Sequence, residues 1–409
     1  MLMAYLMSIA PRRILLPMYA LSILFVLAGA NTVQGATYYV ATTGSDANPG
    51  SSSYPWRNPQ KCAGSPVKAG DTCIVRTGTY TDRSGKGVTV YISSNSAAGT
   101  ASLPITIKSE KPLGAVISIP STHSFNAAFY INRPYYIIQG FDITGGAKTG
   151  AQHYGIAFMS SGTGGIARSN TIHHIARTTC SNSGTNNGLL VSTTSSVLVE
   201  RNRIYSIGRR RTGESGCSTT MYQHDHGIYI VGASNLTVRR NVFYDTNRGF
   251  PINVYGGTTR TLSIYHNTLS GKSPTGKPLG QIMLSSAISG ATIRNNISSD
   301  AENGMIIMWS LSPSNVTVSH NLSNTRVRTG SSVPSGVTFS NNFEQNTNLG
   351  FISKSTNDFR LSSTSYAINR GTTSGVPVVP DGSPDISAYE YSLQNTVSSP
   401  LTPTGLKAQ

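Results

Sequence analysis

The fold class that the sequence predicts is all-β: a parallel β-helix, a solenoid closed by an N-terminal cap. Three observations predict it. A short phrase repeats through the middle of the chain, its apolar runs are strand-like, and no amphipathic helical stretch separates them. One unit could not bury its apolar face alone, so each unit must stack on the next.

The repeated phrase has a glycine half and an asparagine half. In the first half a glycine opens a brief apolar strand, as in NGLLV and HGIYI, at Gly155, Gly188, Gly227, Gly249, Gly280 and Gly304. In the second half an asparagine precedes an apolar pair, at Asn170, Asn202, Asn241, Asn267, Asn296 and Asn321. The 25 to 39 residues between successive asparagines are typical of solenoids. We expect the asparagines to stack inward at a turn and the glycines to adopt unusual backbone dihedrals.

The apolar runs decide which solenoid forms. Alternating Ile, Val, Leu, Tyr and Phe over four to six residues predicts strands and excludes leucine-rich, ankyrin and other helix-bearing repeats. Three short strands per coil, joined by polar turns, predict a parallel β-helix. A chain of 409 residues with 41 glycines and 12% charged residues fits one large all-β domain.

The two ends of the chain differ from the repeats. Residues 1–35 combine a basic start, an apolar run and small-residue cleavage sites, which predicts a secretory signal peptide, with a retained membrane anchor as the alternative. Residues 36–391 are the predicted β-helix domain, and residues 392–409 a linker or disordered tail. We expect a secreted or periplasmic monomer that has no membrane association once the signal is removed.

Charge and cysteines fit that location. The formal net charge is +16, and the leader carries two of these charges. The expected partner of such a secreted chain is an acidic polysaccharide and not nucleic acid. Four cysteines suit an oxidising compartment; of three possible pairings we expect Cys62 with Cys73, and Cys180 with Cys217.

Both ends of the mature chain carry family-like motifs. The stretches ATYYVATTGSDANPG and AGDTCIVRTGTY, with NDFRLSSTSYAINRGT and PDISAYEY near the end, resemble secreted right-handed parallel β-helix proteins of the polysaccharide lyase-like (pectin lyase-like) superfamily. The resemblance covers residues 37–391, with Ala69 in the usual proline position. It implies a right-handed β-helix and a carbon–oxygen lyase acting on a polysaccharide. We also expect a short helix near Asn58 to Gly64.

Candidate site residues are those that precede the strand glycines. Aligning the coils by glycine predicts Asn187, His226 and Arg248 on one outward ledge, with neighbours about 4.8 Å apart. Asp225 and Asn247 come one residue earlier, in the densest polar run, Tyr222 to His226. This ledge suits β-elimination on a uronic acid polymer, which needs a cation at the carboxylate, a base for the C5 proton and an acid for the leaving oxygen.

Each role has a candidate on the ledge. The expected carboxylate holder is Arg248, with Asn187 or Asn247. The base is His226 or His224, and the acid Tyr229 or Tyr222. Asp225 would orient a histidine or contribute to a cation site.

Alternatives remain for each of these residues. Ile228 and Ile230 should point inward and Tyr229 outward, so His226 reaches the ledge only if the chain bends at Gly227. His226 could instead cap a turn, and Arg248 could be a plain surface cation. The run Arg209 to Arg211 is expected to be a solvated loop. The alternative is that this loop, through Arg210, binds the substrate.

Metal use and reaction class complete the expectations. No transition-metal site is expected. Calcium is possible because similar lyases use it, and the oxygen donors would be Asp225, Asp245 and Glu302. The function hypotheses are a lyase or C5-epimerase on an acidic polysaccharide, and a non-catalytic carbohydrate-binding β-helix. Hydrolysis would need paired carboxylates that the ledge lacks.

Overall fold

A computed structural model describes residues 35–82, 85–218, 223–246, 248–271, 280–309, 313–328, 332–373 and 383–391. The predicted signal peptide, apart from Gly35, and the predicted tail lie outside the described residues. So do two residues of the predicted ledge, Tyr222 and Asn247.

Among these residues the chain winds repeatedly through three parallel sheets, A, B and C, in that order. Sheet A contains Thr37–Val40, Thr72–Val75, Ile105–Ser109, Tyr136–Gln139, Ile166–Arg168, Leu198–Glu200, Ser234–Arg239, Thr259–Tyr265, Ile288–Arg294, Ser314–Ser319 and Val337–Ser340. Sheet B contains Gly78–Tyr80, Ala115–Ile119, Asp142–Gly145, Thr171–Ile175, Arg203–Ile207, Val242–Tyr244, Thr268–Ser270, Ile297–Ser299 and Leu322–Ser323. Sheet C contains Val88–Ile92, Phe125–Ile131, Gln152–Phe158, Asn186–Ser192, Asp225–Val231, Ile252–Val254, Ile282–Leu284 and Ile306–Met308. The predicted parallel β-helix is confirmed.

The core lies between the three sheets and is built from stacked apolar side chains. In sheet C one inward row runs through Ile156, Leu189, Ile228, Ile252, Ile282 and Ile306. Every member of that row is buried. Full burial of each such side chain contributes roughly 1.5–3 kcal/mol. The row fixes the register between coils, because a slip of one residue would turn it outward.

An asparagine ladder runs along the turn between sheets A and B, as predicted. The Nδ2 of each asparagine donates to the Oδ1 of the next, as from Asn202 to Asn241 at 3.0 Å and from Asn241 to Asn267 at 3.0 Å. Asn342 extends the ladder by one coil beyond Asn321. These buried amides satisfy backbone carbonyls of neighbouring coils and hold the turns in line.

The strand glycines serve a different purpose from the predicted one. Of the six, Gly304 has a positive φ, 122°. At Gly155, Gly188 and Gly227 a Cβ would lie 2.5–2.6 Å from a carbonyl oxygen of the next coil. The expectation of unusual dihedrals is wrong for these three, because the close approach of adjacent coils requires glycine there.

Both ends of the described solenoid carry structure in addition to the coils. The predicted short helix near Asn58 is a 3-10 helix, Pro59–Ala63, with Asn58 as its N-cap. The second 3-10 helix is Glu214–Gly216 in a loop. At the other end the antiparallel pair Phe351–Ser353 and Asp358–Leu361, with residues 383–391, packs on the outer face of sheet B. No helix of the described residues is long and apolar enough to cross a membrane.

The C-terminal cap, formed by residues 343–373 and 383–391, leaves part of sheet B uncovered. Its apolar side chains pack on the coils that carry Val242, Ile297 and Leu322. The preceding coils keep side chains that are partly exposed, among them Asp142 and His173. The C-terminal cap therefore borders an open polar strip.

Candidate functional site

His226 is an interior residue of the fold. It is 3% exposed, its Nδ1 accepts the backbone N–H of Phe250 at 3.1 Å, and its Nε2 lies 2.9 Å from the amide of Asn253. Since Nδ1 accepts, the neutral ring carries its proton on Nε2, and Asn253 presents its oxygen to that proton when its amide is turned over. Both ring nitrogens are thus bonded within the core, and neither is available as a base.

Arg248 does not lie beside His226, contrary to the predicted ledge. Ile228 pairs with Ile252, which places His226 level with Phe250 at a ring separation of 5.6 Å. Arg248 is 6% exposed and its guanidinium contacts Asp245 at 3.0 Å. In this coil the alignment by glycine is wrong by two residues: Gly227 lies level with Pro251 and not with Gly249. The buried isoleucines, rather than the glycines, set the register.

Asp225 and Arg209 form a buried ion pair. Asp225 is 0% exposed and accepts from the guanidinium of Arg209 at 2.7 and 2.8 Å and from the amide of Asn186 at 2.9 Å. The expected solvated loop is therefore wrong at Arg209. Asn187 is also buried, and its Oδ1 accepts the backbone N–H of His226 at 2.9 Å. These contacts hold adjacent coils together.

The remaining ledge residues lie at the edges of this buried group. Tyr229 points outward, as predicted from strand alternation, and is half-buried between Leu190 and Asn253. His224 is half-buried, and desolvation lowers its pKa. Arg210 is half-buried, and its backbone N–H bonds to the carbonyl of Thr179 at 2.8 Å.

The calcium donors named from the sequence do not converge. Asp225 is bonded to Arg209, Asp245 contacts Arg248, and Glu302 is exposed. Within the described residues no group of three acidic, histidine or cysteine side chains could hold a metal ion.

The buried His226 predicts acid lability. Burial lowers its pKa to about 3, whereas the same ring titrates near 6.5 when solvated. From pH 6.5 down towards 3 the unfolded chain binds one more proton, so folding stability falls by about 1.4 kcal/mol per pH unit. Burial also lowers the pKa of His266 to about 3, so the parent protein carries a contribution from each ring. His226→Gln should remove the His226 contribution, measured as urea unfolding free energies at pH 6.5 and 4.5. His123→Gln, on the surface, should keep it; an unchanged pH dependence in His226→Gln would contradict the assignment.

A second polar cluster lies on the uncovered strip of sheet B, where no site was predicted. His173 Nε2 is 2.6 Å from Asp142 Oδ1, and His173 Nδ1 is 2.6 Å from His174 Nδ1. The side chains of His173 and Asp142 are 18% and 29% exposed, and His174 is exposed. His174 has a positive φ of 50°, a conformation that non-glycine residues rarely adopt.

The hydrogen bonds of this cluster define its tautomers. Ionised Asp142 accepts the Nε2 proton of His173, which leaves Nδ1 of that ring as an acceptor for the Nδ1 proton of His174. The lone pair of His174 Nε2 then points away from the hydrogen bonds that join Asp142, His173 and His174. Desolvation and the charge of Arg177 lower the pKa of His174, so the ring is neutral at neutral pH.

Aromatic rings continue the cluster along the helix axis. Tyr205 stacks on His173 at 5.0 Å and on Tyr244 at 4.6 Å, with ring planes within 7° of parallel. Burial raises the pKa of Tyr205, so its hydroxyl keeps its proton. The Arg203 guanidinium lies 5.5 Å from the Tyr205 ring and donates to the Tyr244 hydroxyl at 2.9 Å. It also reaches the C-terminal cap at the carbonyl of Asn357, 3.4 Å away.

Two loops beside His174 are tied together. The disulfide Cys180–Cys217 joins the loops that follow the His173 and Tyr205 strands, and Arg177 contacts Glu214 across them at 2.6 Å. Both predicted disulfides are formed, the other being Cys62–Cys73 in the N-terminal cap. The cross-links hold one wall of the strip in place.

A signal for this cluster exists in the sequence. The third residue after each ladder asparagine faces outward in sheet B: His173 after Asn170, Tyr205 after Asn202, Tyr244 after Asn241. Later coils have serine there, at Ser270 and Ser299. Aligning coils by asparagine rather than glycine would have brought the histidine and the tyrosines together.

Comparison with known proteins gives the family. Three similar solved structures are pectate lyase Pel9A (18% identity, 88% of this chain and 97% of that chain, TM-score 0.39), an alginate lyase from Paenibacillus sp. str. FPU-7 (19%, 68% and 90%, 0.42) and a glycoside hydrolase (8%, 76% and 97%, 0.47). Curated proteins gave no match. The family model described as "Right handed beta helix region" matches residues 87–277 and 187–366, which together make up more than half of the sequence. This chain therefore belongs to the right-handed β-helix family.

Proposed function

We propose that this protein acts on a uronate-containing acidic polysaccharide by removing the C5 proton, with β-elimination as the reaction and C5 epimerisation as its close variant. The observation that carries the proposal is the bonded chain Asp142, His173 and His174 on an open strip, with Tyr205 and Arg203 beside it. The positive net charge favours an acidic polymer.

His174 is the base in this proposal. Its Nε2 takes the C5 proton. The imidazolium that forms donates a hydrogen bond to His173, which in turn donates to the Asp142 carboxylate, and this chain of bonds stabilises the positive charge. A base whose pKa lies near or below the working pH is in the required neutral state before the reaction. The described residues place no hydrogen-bonding partner on His174 Nε2, which leaves it available to a substrate.

Arg203 and Tyr205 serve the other two requirements. No carboxylate of the described residues lies within ion-pair distance of Arg203, so its charge is available to the uronate carboxylate as negative charge develops. The Tyr205 hydroxyl gives its proton to the leaving O4. The electrons of the C5–H bond form the C4=C5 double bond as the C4–O4 bond breaks. In epimerisation O4 stays bonded, and the Tyr205 hydroxyl instead gives its solvent-exchangeable proton to C5 on the face opposite His174.

The first experiment is a substrate screen. Purified protein is incubated with alginate, pectate and glycosaminoglycans, and the ultraviolet absorbance of unsaturated uronates is followed. One of these polymers is expected to give a rising absorbance, or an altered ratio of C5 epimers by NMR. Retention on an acidic-polysaccharide column without either change would contradict catalysis and favour a binding protein.

A further inference from the structure

Two exposed aromatic side chains lie on the same outward row at the end of sheet C. The backbone N–H of Tyr255 bonds to Ile230 O, that of Ser285 to Val254 O, and that of Trp309 to Leu284 O. Successive bonds of this kind place Tyr255, Ser285 and Trp309 on three consecutive coils. This row belongs to a different sheet from the His174 cluster.

Exposure sets these two rings apart from the other Phe, Tyr and Trp side chains in the described coils of the β-helix. Tyr255 is 57% and Trp309 55% exposed, whereas the aromatic residue Tyr229 on the same sheet is half-buried. Two coil rises separate them, roughly 10 Å at about 4.8 Å per coil. The half-buried Ser285 lies between the two rings in the row.

This spacing matches an extended sugar chain that runs parallel to the helix axis. A pyranose residue is about as long as one coil rise, so alternate sugars would lie over the two rings. Their C–H groups carry partial positive charge and are attracted to the negative faces of the rings. The intermediate sugar would meet the hydroxyl of Ser285, which donates to Val254 O at 3.1 Å and can accept from a sugar hydroxyl.

A second copy of the chain is a poorer occupant. The two side chains together would bury at most about 400 Å² even if fully covered. A stable protein interface needs about 800 Å² from each partner. A single polysaccharide strand needs only the narrow row itself.

We propose that Tyr255 and Trp309 form a polysaccharide-binding strip on sheet C, separate from the strip on sheet B, which holds alternate sugars of a linear chain by ring stacking. The inference takes its ligand class from the proposed function but not the reaction. It can therefore stand if no turnover is found.

Tryptophan fluorescence reports on this strip directly. The chain has two tryptophans, and Trp56 is 1% exposed with its indole N–H bonded to Asn48 O. Quenching by acrylamide therefore reports mainly on Trp309. In the His174→Asn protein, alginate, pectate or a neutral β-linked glucan should blue-shift the emission and protect it from acrylamide. No change with any of these polymers would overturn the proposal.

Variants measured by affinity electrophoresis complete the test. Tyr255→Ala and Trp309→Ala should each weaken binding by about tenfold, while Tyr255→Phe, which keeps the ring, should bind as the parent does. Tyr54→Ala is the matched control, because Tyr54 is 64% exposed but lies in the N-terminal cap region. Equal weakening by Tyr54→Ala would overturn the proposal. So would binding only to single-stranded nucleic acid, or a Trp309-dependent dimer in sedimentation.

Discussion

Replacing His174 with asparagine is expected to lower the rate of proton removal from a uronate polymer by about 10²- to 10⁴-fold, the usual contribution of a general base. Asparagine tolerates the left-handed backbone at this position and removes the imidazole. Because His174 is exposed, the unfolding free energy should change by no more than about 0.5 kcal/mol. Initial rates on the polymer found in the screen, together with urea unfolding, measure both quantities.

The matched control for this variant is His123→Ala. His123 is exposed, like His174, but lies in the loop before the strand Phe125–Ile131, three residues ahead of the buried Asn126. Its loss should leave the rate unchanged. Equal rates for His174→Asn and the parent protein would remove His174 as the base, and so would equal losses in the two variants.

Asp225→Asn should reduce the unfolding free energy by roughly 3–5 kcal/mol, because it leaves the Arg209 guanidinium buried without a compensating charge. The two side chains are 1% and 0% exposed, so water does not screen the lost interaction. Urea unfolding followed by circular dichroism measures the effect. It should be much the same at low and high salt, since a buried pair is weakly screened.

Asp358→Asn is the control for the ion pair. Asp358 pairs with Arg360, whose side chain is 55% exposed, and such pairs are worth about 0–1 kcal/mol. Similar losses of stability in the two variants would mean that Asp225 and Arg209 are not buried together. A large loss in Asp225→Asn alone would assign Asp225 to the scaffold rather than to the predicted role of orienting a histidine or contributing to a cation site.

Much of the fold could be predicted because it depends on repeated residues. The period of the asparagines, the inward Ile228 and Ile230 and both disulfides follow from local patterns, and the structure has them as expected. The function of the glycines could not be read in this way. At Gly188 a carbonyl oxygen of the next coil leaves no room for a side chain. The pattern of residues along the sequence does not reveal this contact between coils.

The candidate site depends on register, which the sequence left open. Loops of unequal length shift the coil of Arg248 by two residues, and this separates Arg248 from His226. Burial then turns His226 from a candidate base into a neutral core residue. His173 and His174 were visible in the sequence, but Asp142 is 31 residues away from His173 and reaches it only through stacking of the coils.

The measurement that tests the central claim most directly is proton NMR of the polymer substrate, because elimination and epimerisation both break the C5–H bond. In deuterated buffer the parent protein should erase the C5 proton signal, through a C4=C5 double bond or through deuterium at C5, and His174→Asn should leave it intact. A C5 proton signal that survives the parent protein on every uronate polymer, or that His174→Asn erases equally fast, would contradict the account.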